Sequence, residues 1–291
     1  MSKRRREMAN IQPELPVIAD WSTIRKIVKD DNLDRIIVAL EERRGQFPTE
    51  ELLRCRMEGI SIEEGVTFYE HLTGKLLIER IYPSSLIFSN GFIRSTYYFV
   101  VKRIVDFILS CVCMIALSPV MALIALAIKL DSPGPVFYRQ ERVGKNGRTF
   151  TLLKFRSMRD GAEKETGPVW AGENDERMTW VGKIIRKVRL DEIPQMINVL
   201  RGEMSFVGPR PERDHFIEYL KDKIPFYAKR LSVKPGITGW AQIEYPYGAS
   251  KEDALEKLKY DLYYMKNMSP FLDLVIIFRT LKIVLFGRGA R

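Results

Sequence analysis

Phe107-Ile-Leu-Ser-Cys-Val-Cys-Met-Ile-Ala-Leu-Ser118-Pro119-Val-Met-Ala-Leu-Ile-Ala-Leu-Ala-Ile128 carries no charge, and a helix of this length can cross a hydrocarbon core of about 30 Å. Three arrangements are open to it: a simple or kinked span, a re-entrant hairpin, and a helix buried in a soluble core. Pro119 lacks an N–H and its ring opposes the carbonyl four residues back, so it breaks or kinks a helix at a cost of about 3 kcal/mol. Ser118 can satisfy part of the freed backbone. The half before the break, Phe107 to Leu117, reaches only about 17 Å, roughly halfway through the hydrocarbon. Lys102 and Arg103 precede the segment, and Lys129, Arg139, Arg142, Lys145 and Arg148 follow it. Both flanks therefore carry the positive-inside signal. A hairpin entering and leaving by the cytoplasmic leaflet satisfies both; a straight span satisfies one. The sequence favours a re-entrant helix-break-helix hairpin over residues 96–130, broken at Ser118 and Pro119.

Downstream, Pro135 to Val143 and Arg148 to Ser157 read as strands around Gly144-Lys-Asn146-Gly147, whose Asn-Gly step signals a hairpin. Lys154 and Arg156, two apart, are expected on one face. Residues 160–176 are polar and Gly-containing and read as a mobile loop able to close over a ligand. Pro270 to Phe286 is apolar with Arg279 and Lys282 three apart; it fits an interfacial amphipathic helix and an ordinary core helix equally well. Upstream, Arg35-Ile-Ile-Val-Ala-Leu reads as a buried strand, Thr49 to Met57 as a helix capped by Thr49, and Gly59 to Ile62 as a second strand. That is part of a small α/β unit without a Gly-x-Gly-x-x-Gly fingerprint, best read as structural or regulatory. Residues 1–32 form a charged arm, helical near Trp21 to Lys29. Its start, Met-Ser-Lys-Arg-Arg-Arg, lacks the apolar core of a signal peptide, so a cytoplasmic beginning is expected. The expected fold class is thus helix-rich α/β (α+β): an arm at 1–32, a partial α/β domain at 33–95, the hairpin at 96–130 and a catalytic domain at 131–291.

The 291 residues carry a formal charge of +10 and 46% hydrophobic residues, enough for a packed core and suited to an anionic partner. Nucleic acid, anionic lipid and a phosphorylated small molecule are the candidates. Nucleic acid ranks last, because the cations cluster with carboxylates and apolar segments and match no recognition motif. Cys55, Cys111 and Cys113 do not make a disulfide framework, and with His71 and His215 the only histidines a structural zinc is rejected.

Arg186-Lys-Val-Arg-Leu-Asp191-Glu192-Ile-Pro194-Gln sets two carboxylates after a cluster of cations. Ile193, Met196, Ile197 and Leu200 recur at helical spacing, which puts Asp191 at or near a helix cap. As a plain N-cap it would be structural. The same position, with Arg186 and Arg189 near, would also keep it ionised, and an ionised carboxylate can attack a phosphoanhydride if cations cancel the repulsion. Mg²⁺ on one carboxylate, bridging phosphate oxygens, is one such cation. Arg210, stiffened between Pro209 and Pro211, is the best guanidinium clamp, although a surface turn would look alike. Lys154 and Arg156 read as phosphate ligands or as a solvated strand face. Asp253, Glu256 and Lys257 read as a solvated helix face. Trp240 fits the core or the rim of the site.

From about Tyr98 to its end the chain resembles the bacterial sugar transferases known as monotopic phosphoglycosyl transferases. The matching pieces include Lys102-Arg-Ile-Val-Asp-Phe, Ser118-Pro119, Asp131-Ser-Pro-Gly-Pro-Val-Phe-Tyr-Arg-Gln-Glu141, Lys154-Phe-Arg-Ser-Met, Leu190-Asp-Glu-Ile-Pro-Gln, Met204-Ser-Phe-Val-Gly-Pro-Arg-Pro-Glu and Lys234-Pro-Gly-Ile-Thr-Gly-Trp-Ala-Gln. The resemblance implies transfer of a sugar phosphate from a UDP-sugar to a polyprenyl phosphate in the membrane lipid, with release of UMP. It implies a phosphosugar intermediate on Asp191 with Mg²⁺ present and Glu192 as its acidic partner. Arg186, Lys154 and Arg210 are implied as the family's basic residues, and the re-entrant helix as its anchor. A place on the cytoplasmic face of the bacterial inner membrane follows.

Longer members carry an α/β domain like residues 1–95 after several spanning helices, so the chain is expected to be a truncated form. Two rivals remain: a non-catalytic membrane scaffold gripping anionic lipid, and a transferase that releases UDP. The sugar and the oligomeric state, a homo-oligomer included, stay open.

Overall fold

The computed structural model describes residues 24–30, 32–39, 47–80, 91–92, 94–162, 175–245, 248 and 250–286. Most of the basic arm, most of the 160–176 loop and the tail after 286 lie outside the described residues. The chain divides into two compact units, Met1–Leu72 and Thr73–Arg291.

The first unit contains α1 (Ile24–Asp30), β1 (Arg35–Val38), α2 (Thr49–Met57), β2 (Ser61–Glu64) and α3 (Gly65–Thr73). β1 and β2 pair in parallel, Arg35 opposite Ser61 and Val38 opposite Glu64, as a strand–helix–strand crossover requires. The apolar run does not make a buried strand, however: β1 alternates exposed and half-buried, because the sheet has two strands among the described residues and covers little of either face. Nor does Thr49 cap α2. Pro48 holds the cap position, and the Thr49 hydroxyl donates to the Phe47 carbonyl at 3.3 Å.

The second unit begins with Leu76 and Ile78, both in its core. Its dominant element is α4 (Thr96–Asp131), 36 residues long. Ser95 caps it, accepting from the Tyr98 N–H. Instead of separating into two helices at Ser118-Pro119, α4 runs through the pair as one helix. The Ser118 hydroxyl donates to the Ile115 carbonyl at 2.8 Å, the acceptor that an N–H at position 119 would have filled, so the proline leaves little unsatisfied backbone.

One face of α4 is tied to the unit along its length. Arg103 donates to the carbonyls of Val199 and Leu200, Asp106 accepts from the Phe206 N–H at 3.0 Å, Ile124 and Ile128 are buried, and Asp131 accepts from the Val181 N–H at 3.0 Å. The opposite face leaves Ile104, Ile108, Val112, Ile115, Leu123 and Leu126 exposed, at helical spacing. The helix is long and apolar enough to cross a membrane.

β3 (Phe137–Val143) and β4 (Thr149–Phe155) pair antiparallel across the expected hairpin, with Asn146 and Gly147 both at positive φ, 57° and 77°. Then come α5 (Trp180–Lys187), α6 (Gln195–Arg201), β5 (Ser205–Val207), α7 (Asp214–Lys221), β6 (Gly236–Thr238), α8 (Trp240–Glu244), α9 (Lys251–Asn267) and α10 (Pro270–Phe286). β5 and β6 pair in parallel. A Cβ at Gly236 would lie 2.1 Å from the Gly208 nitrogen, so the backbones can meet only because both residues are glycine. The main core gathers Tyr98, Val207, Leu220, Leu258, Leu262, Tyr264 and Ile276; a second joins Ile124 and Ile128 to Phe155, Ile185, Ile193 and Met196.

α10 has both characters that its sequence allowed. Ile276 is fully buried, while Phe271, Leu274, Phe278 and Leu281 are exposed along one stripe. Asp273 locks it to α4, accepting from Lys102 at 2.8 Å, Tyr264 at 2.8 Å and Tyr98 at 3.3 Å. The face at 253–257 is not merely solvated: Asp253 closes a capping box with Ser250, and Glu256 pairs with Lys75 and Lys259. Trp240 is half-buried against the core, and its indole N–H donates to the Gly74 carbonyl at 2.7 Å. Asp273→Ala leaves the part-buried Lys102 ammonium and the Tyr98 hydroxyl without this acceptor, while Tyr264 keeps the Val207 carbonyl; thermal or denaturant unfolding in detergent should show a loss of roughly 3–5 kcal/mol, and a loss below about 1 kcal/mol would be that of a surface pair.

Candidate active site

The two carboxylates lie in a 3₁₀ turn, Leu190–Glu192, which Arg189 enters with φ 56°. Pro194, not Asp191, occupies the cap position of α6, so Asp191 is no N-cap. The turn is fixed to β4 through Asn198, fully buried in α6. Its side-chain oxygen accepts from the Leu153 N–H at 3.1 Å, and its amide donates to the Thr151 carbonyl and to Glu203, each at 2.7 Å.

Glu192 is the hub. The same oxygen, Oε1, accepts from Lys154 at 3.0 Å and from Arg210 at 2.8 Å, and Arg189 lies 3.8 Å from Oε2. Burial opposes its charge, but Arg210, Lys154 and Arg189 outweigh it and hold the carboxyl far below the usual range. Arg210 sends its other nitrogen to the Gln242 side chain at 2.8 Å; chiefly through Glu192, its charge is held more firmly than usual. Burial pushes the Lys154 ammonium down, and Glu192 resists the shift.

Asp191 differs from its neighbour. It is buried, and no hydrogen bond or ion pair engages its carboxylate among the described residues. Burial raises its pKa, with Lys154 pulling the other way, Glu192 adding to the rise, and Arg186 and Arg210 opposing. Arg186 favours the charged form of Asp191, as expected, whereas Arg189 stands against Glu192; three cations surround Glu192, and burial leaves Asp191 the destabilised carboxylate of the pair. Arg186, in the last turn of α5, reaches it through space alone.

Arg156 does not join this group. It is buried, and its guanidinium donates to the Pro133 carbonyl at 2.7 Å, the Ser132 carbonyl at 2.8 Å and the Ser132 hydroxyl at 3.0 Å. β4 ends at Phe155, so strand alternation no longer sets the direction of Arg156, and the C-terminal end of α4 consumes its donors. Two further arginines escaped the sequence reading. Arg230 donates to the Arg210 carbonyl at 3.1 Å and Arg142 to the Pro211 carbonyl at 3.1 Å, gripping the Pro209-Arg210-Pro211 turn from behind. Arg230 is itself paired with Asp261 at 2.8 Å. Their signal was too diffuse to single out: Arg142 stood only as one of the cations flanking the apolar segment, and Arg230 sits beside Lys229 with its partner Asp261 some 30 residues on.

A destabilised carboxylate ringed by cations, carried between two helices with open apolar faces, has the chemistry of a phosphate-transfer site at a membrane surface. The model of the bacterial sugar transferase family matches residues 97–287, and the chain belongs to that family. It is 42% identical over 240 residues to a UDP-N-acetylgalactosamine-undecaprenyl-phosphate N-acetylgalactosaminephosphotransferase of Aeromonas hydrophila, covering 82% of this chain and 56% of the relative. It is 36% identical over 279 residues to an undecaprenyl-phosphate glucose phosphotransferase of Komagataeibacter xylinus, covering 92% and 52%. With a UDP-glucose:undecaprenyl-phosphate glucose-1-phosphate transferase of Escherichia coli it shares 45% over 183 residues, 62% and 39%. The chain thus spans about half the length of the curated relatives it matches.

Burial raises the Asp261 carboxyl to about 6, with Arg230 opposing the rise. Between an unfolded value of about 3.9 and this one, the folded state holds a proton that the unfolded state has lost. This group's contribution to stability therefore falls as pH rises from about 4 to about 6. Denaturant titrations across that window should show a shallower fall, or a steeper rise, in Asp261→Asn than in the wild type; identical slopes would remove the assignment.

Proposed function

We propose that the chain transfers a sugar 1-phosphate from a UDP-sugar to a polyprenyl phosphate such as undecaprenyl phosphate, releasing UMP. The observation that carries this reading is the unpartnered, buried carboxylate of Asp191 beside a fully paired Glu192. An oxygen of Asp191 attacks the phosphorus that bears the sugar. The bond from that phosphorus to the oxygen bridging it to the uridine-bearing phosphate breaks, and UMP leaves with the bonding pair. An oxygen of the polyprenyl phosphate then attacks the same phosphorus and frees the Asp191 carboxylate.

Lys154, Arg186 and Arg210 supply the positive field that lets an anion approach an anion. Glu192 orients two of them, and its own charge is spent on doing so, which leaves Asp191 the group free to bond. Among the described residues no three His, Cys, Asp or Glu side chains converge as a metal cage. Mg²⁺ commonly takes one or two carboxylates and completes its shell with substrate phosphates and water, a demand that Asp191 fits; bound there, it would neutralise phosphate oxygens. The relatives named above act on glucose and N-acetylgalactosamine donors, and the sugar used here is left to experiment.

The anchor belongs to the same proposal. In the membrane α4 bends at Pro119, a departure from the unbroken helix described above, and so enters and leaves by one leaflet; the exposed stripe of α10 lies in the interface beside it, on the cytoplasmic face of the inner membrane. Arg103 and Asp106 near one end, and Ile128 and Asp131 at the other, all bond or pack within one unit, an arrangement that a helix crossing to the far side would not allow. The partial α/β domain expected at 33–95 ends at Leu72, because the chain from Thr73 packs with the second unit, and residues 131–291 serve as the catalytic domain.

With UDP-sugars, Mg²⁺ and polyprenyl phosphate, wild-type protein should release UMP and show a phosphosugar adduct by intact mass. Asp191→Asn should lose at least about 10³-fold in turnover and the adduct, while keeping its unfolding midpoint; near-normal activity would end the nucleophile assignment. A cysteine placed at Leu130, exposed just beyond the apolar segment, with Cys111 and Cys113 replaced by serine, reports topology. A membrane-impermeant thiol reagent on the far side should not label it with Pro119 present and should label it in Pro119→Ala, and far-side labelling with Pro119 present would reject the one-leaflet anchor.

A further inference from the structure

Beside the dyad an apolar cleft of about 120 Å³ opens between the start of α6 and the end of α10. Ile193, Met196, Ile283 and Val284 line it, Thr238, Gln242 and Thr280 interrupt the apolar surface, and Arg189 with Glu192 marks its charged end. An apolar cavity of roughly 150 Å³ stays dry and takes a benzene-sized guest, so this one has room for about one branched five-carbon unit. Arg189 is the least committed cation there: it lies 3.8 Å from Glu192, against 2.8 Å for Arg210 and 3.0 Å for Lys154. Its φ of 56° is one that a non-glycine residue adopts against a steric cost, and its guanidinium both borders the cleft and stands at the edge of the Glu192 cluster.

We infer that this cleft is the acceptor subsite: it holds the isoprene unit next to the phosphate of a polyprenyl phosphate, with Arg189 meeting that phosphate. The inference rests on the proposed function and adds the acceptor's place within the site. Charge complementarity selects the occupant. One cation and one narrow apolar slot suit a single-chain lipid phosphate, whereas a UDP-sugar has nothing apolar to place against Ile283, and a two-chain phospholipid carries a glycerol ester where the slot is driest. The cleft wall also belongs to α10, whose exposed stripe of Phe271, Leu274, Phe278 and Leu281 continues the apolar path away from the dyad.

Two measurements test this, one of them independent of turnover. In wild-type protein, a polyprenyl phosphate bearing a photoreactive group on its first isoprene should crosslink to Met196, Ile283 or Val284. Unlabelled polyprenyl phosphate should compete and phosphatidylglycerol should not. Crosslinks confined to the exposed faces of α4 and α10, or competition by phosphatidylglycerol, would overturn the assignment even if the catalytic reading holds. In steady state, Ile283→Trp, which fills the slot from the α10 side, should raise KM for polyprenyl phosphate about tenfold relative to KM for the UDP-sugar, the factor expected from losing burial of one or two methylene groups. A ratio changed by less than about twofold would reject the cleft as the acceptor subsite. Should wild-type protein show no UMP release at all, the proposed function fails while the crosslinking result still decides whether the cleft takes the lipid.

Discussion

A single carboxylate oxygen of Glu192 receives Lys154 from one strand and Arg210 from a turn far along the chain. Without that shared acceptor, two part-buried cations would face each other with nothing between them, a repulsion that works against holding their segments together. With it, β4, the 3₁₀ turn and the Pro-Arg-Pro turn meet at one point. The arrangement resembles a buried ion triad, whose value lies less in net stability than in fixing one geometry. Its by-product is the asymmetry of the dyad: a neighbour saturated with cations leaves Asp191 with burial and little direct pairing.

The frame around this point is supported from behind. Pro209 and Pro211 offer no N–H, so the turn is secured through its carbonyls, by Arg230 at 210 and Arg142 at 211. Asn198 does the same for the other half: one fully buried side chain joins α6 to β4 with two hydrogen bonds and holds Glu203 with a third. Asn198 and Arg230 are buried polar groups with their partners in place, the condition under which such groups specify a structure rather than weaken it.

What the sequence made legible was local. Asn146-Gly147 marked its hairpin because only a few turn types accept two positive φ values in succession. Phe107 to Ile128 and Pro270 to Phe286 announced helices by their apolar content and length. The acidic pair and Arg210 stood out as residue types suited to phosphate chemistry, and the structure gathers both with Lys154. Three-dimensional partners were hidden: nothing in Lys154-Phe-Arg156 tells that the first cation turns to Glu192 and the second to the end of a helix some 25 residues earlier. Pro119 misled in the other direction, since a proline reads as a break, whereas the Ser118 hydroxyl takes up the Ile115 carbonyl and lets the helix run on.

Arg156 and Lys154 sit two residues apart, a separation of about 7 Å in an extended chain. One grips the last turn of α4 and the other the dyad, so the strand acts as a short rigid rod between the apolar helix and the reacting centre. The distance from the dyad to the end of α4 is therefore set by three residues of chain and the hydrogen bonds at their two ends. Lipids of different headgroup or thickness would raise or lower the whole assembly as one piece, leaving the distance from carboxylate to helix unchanged.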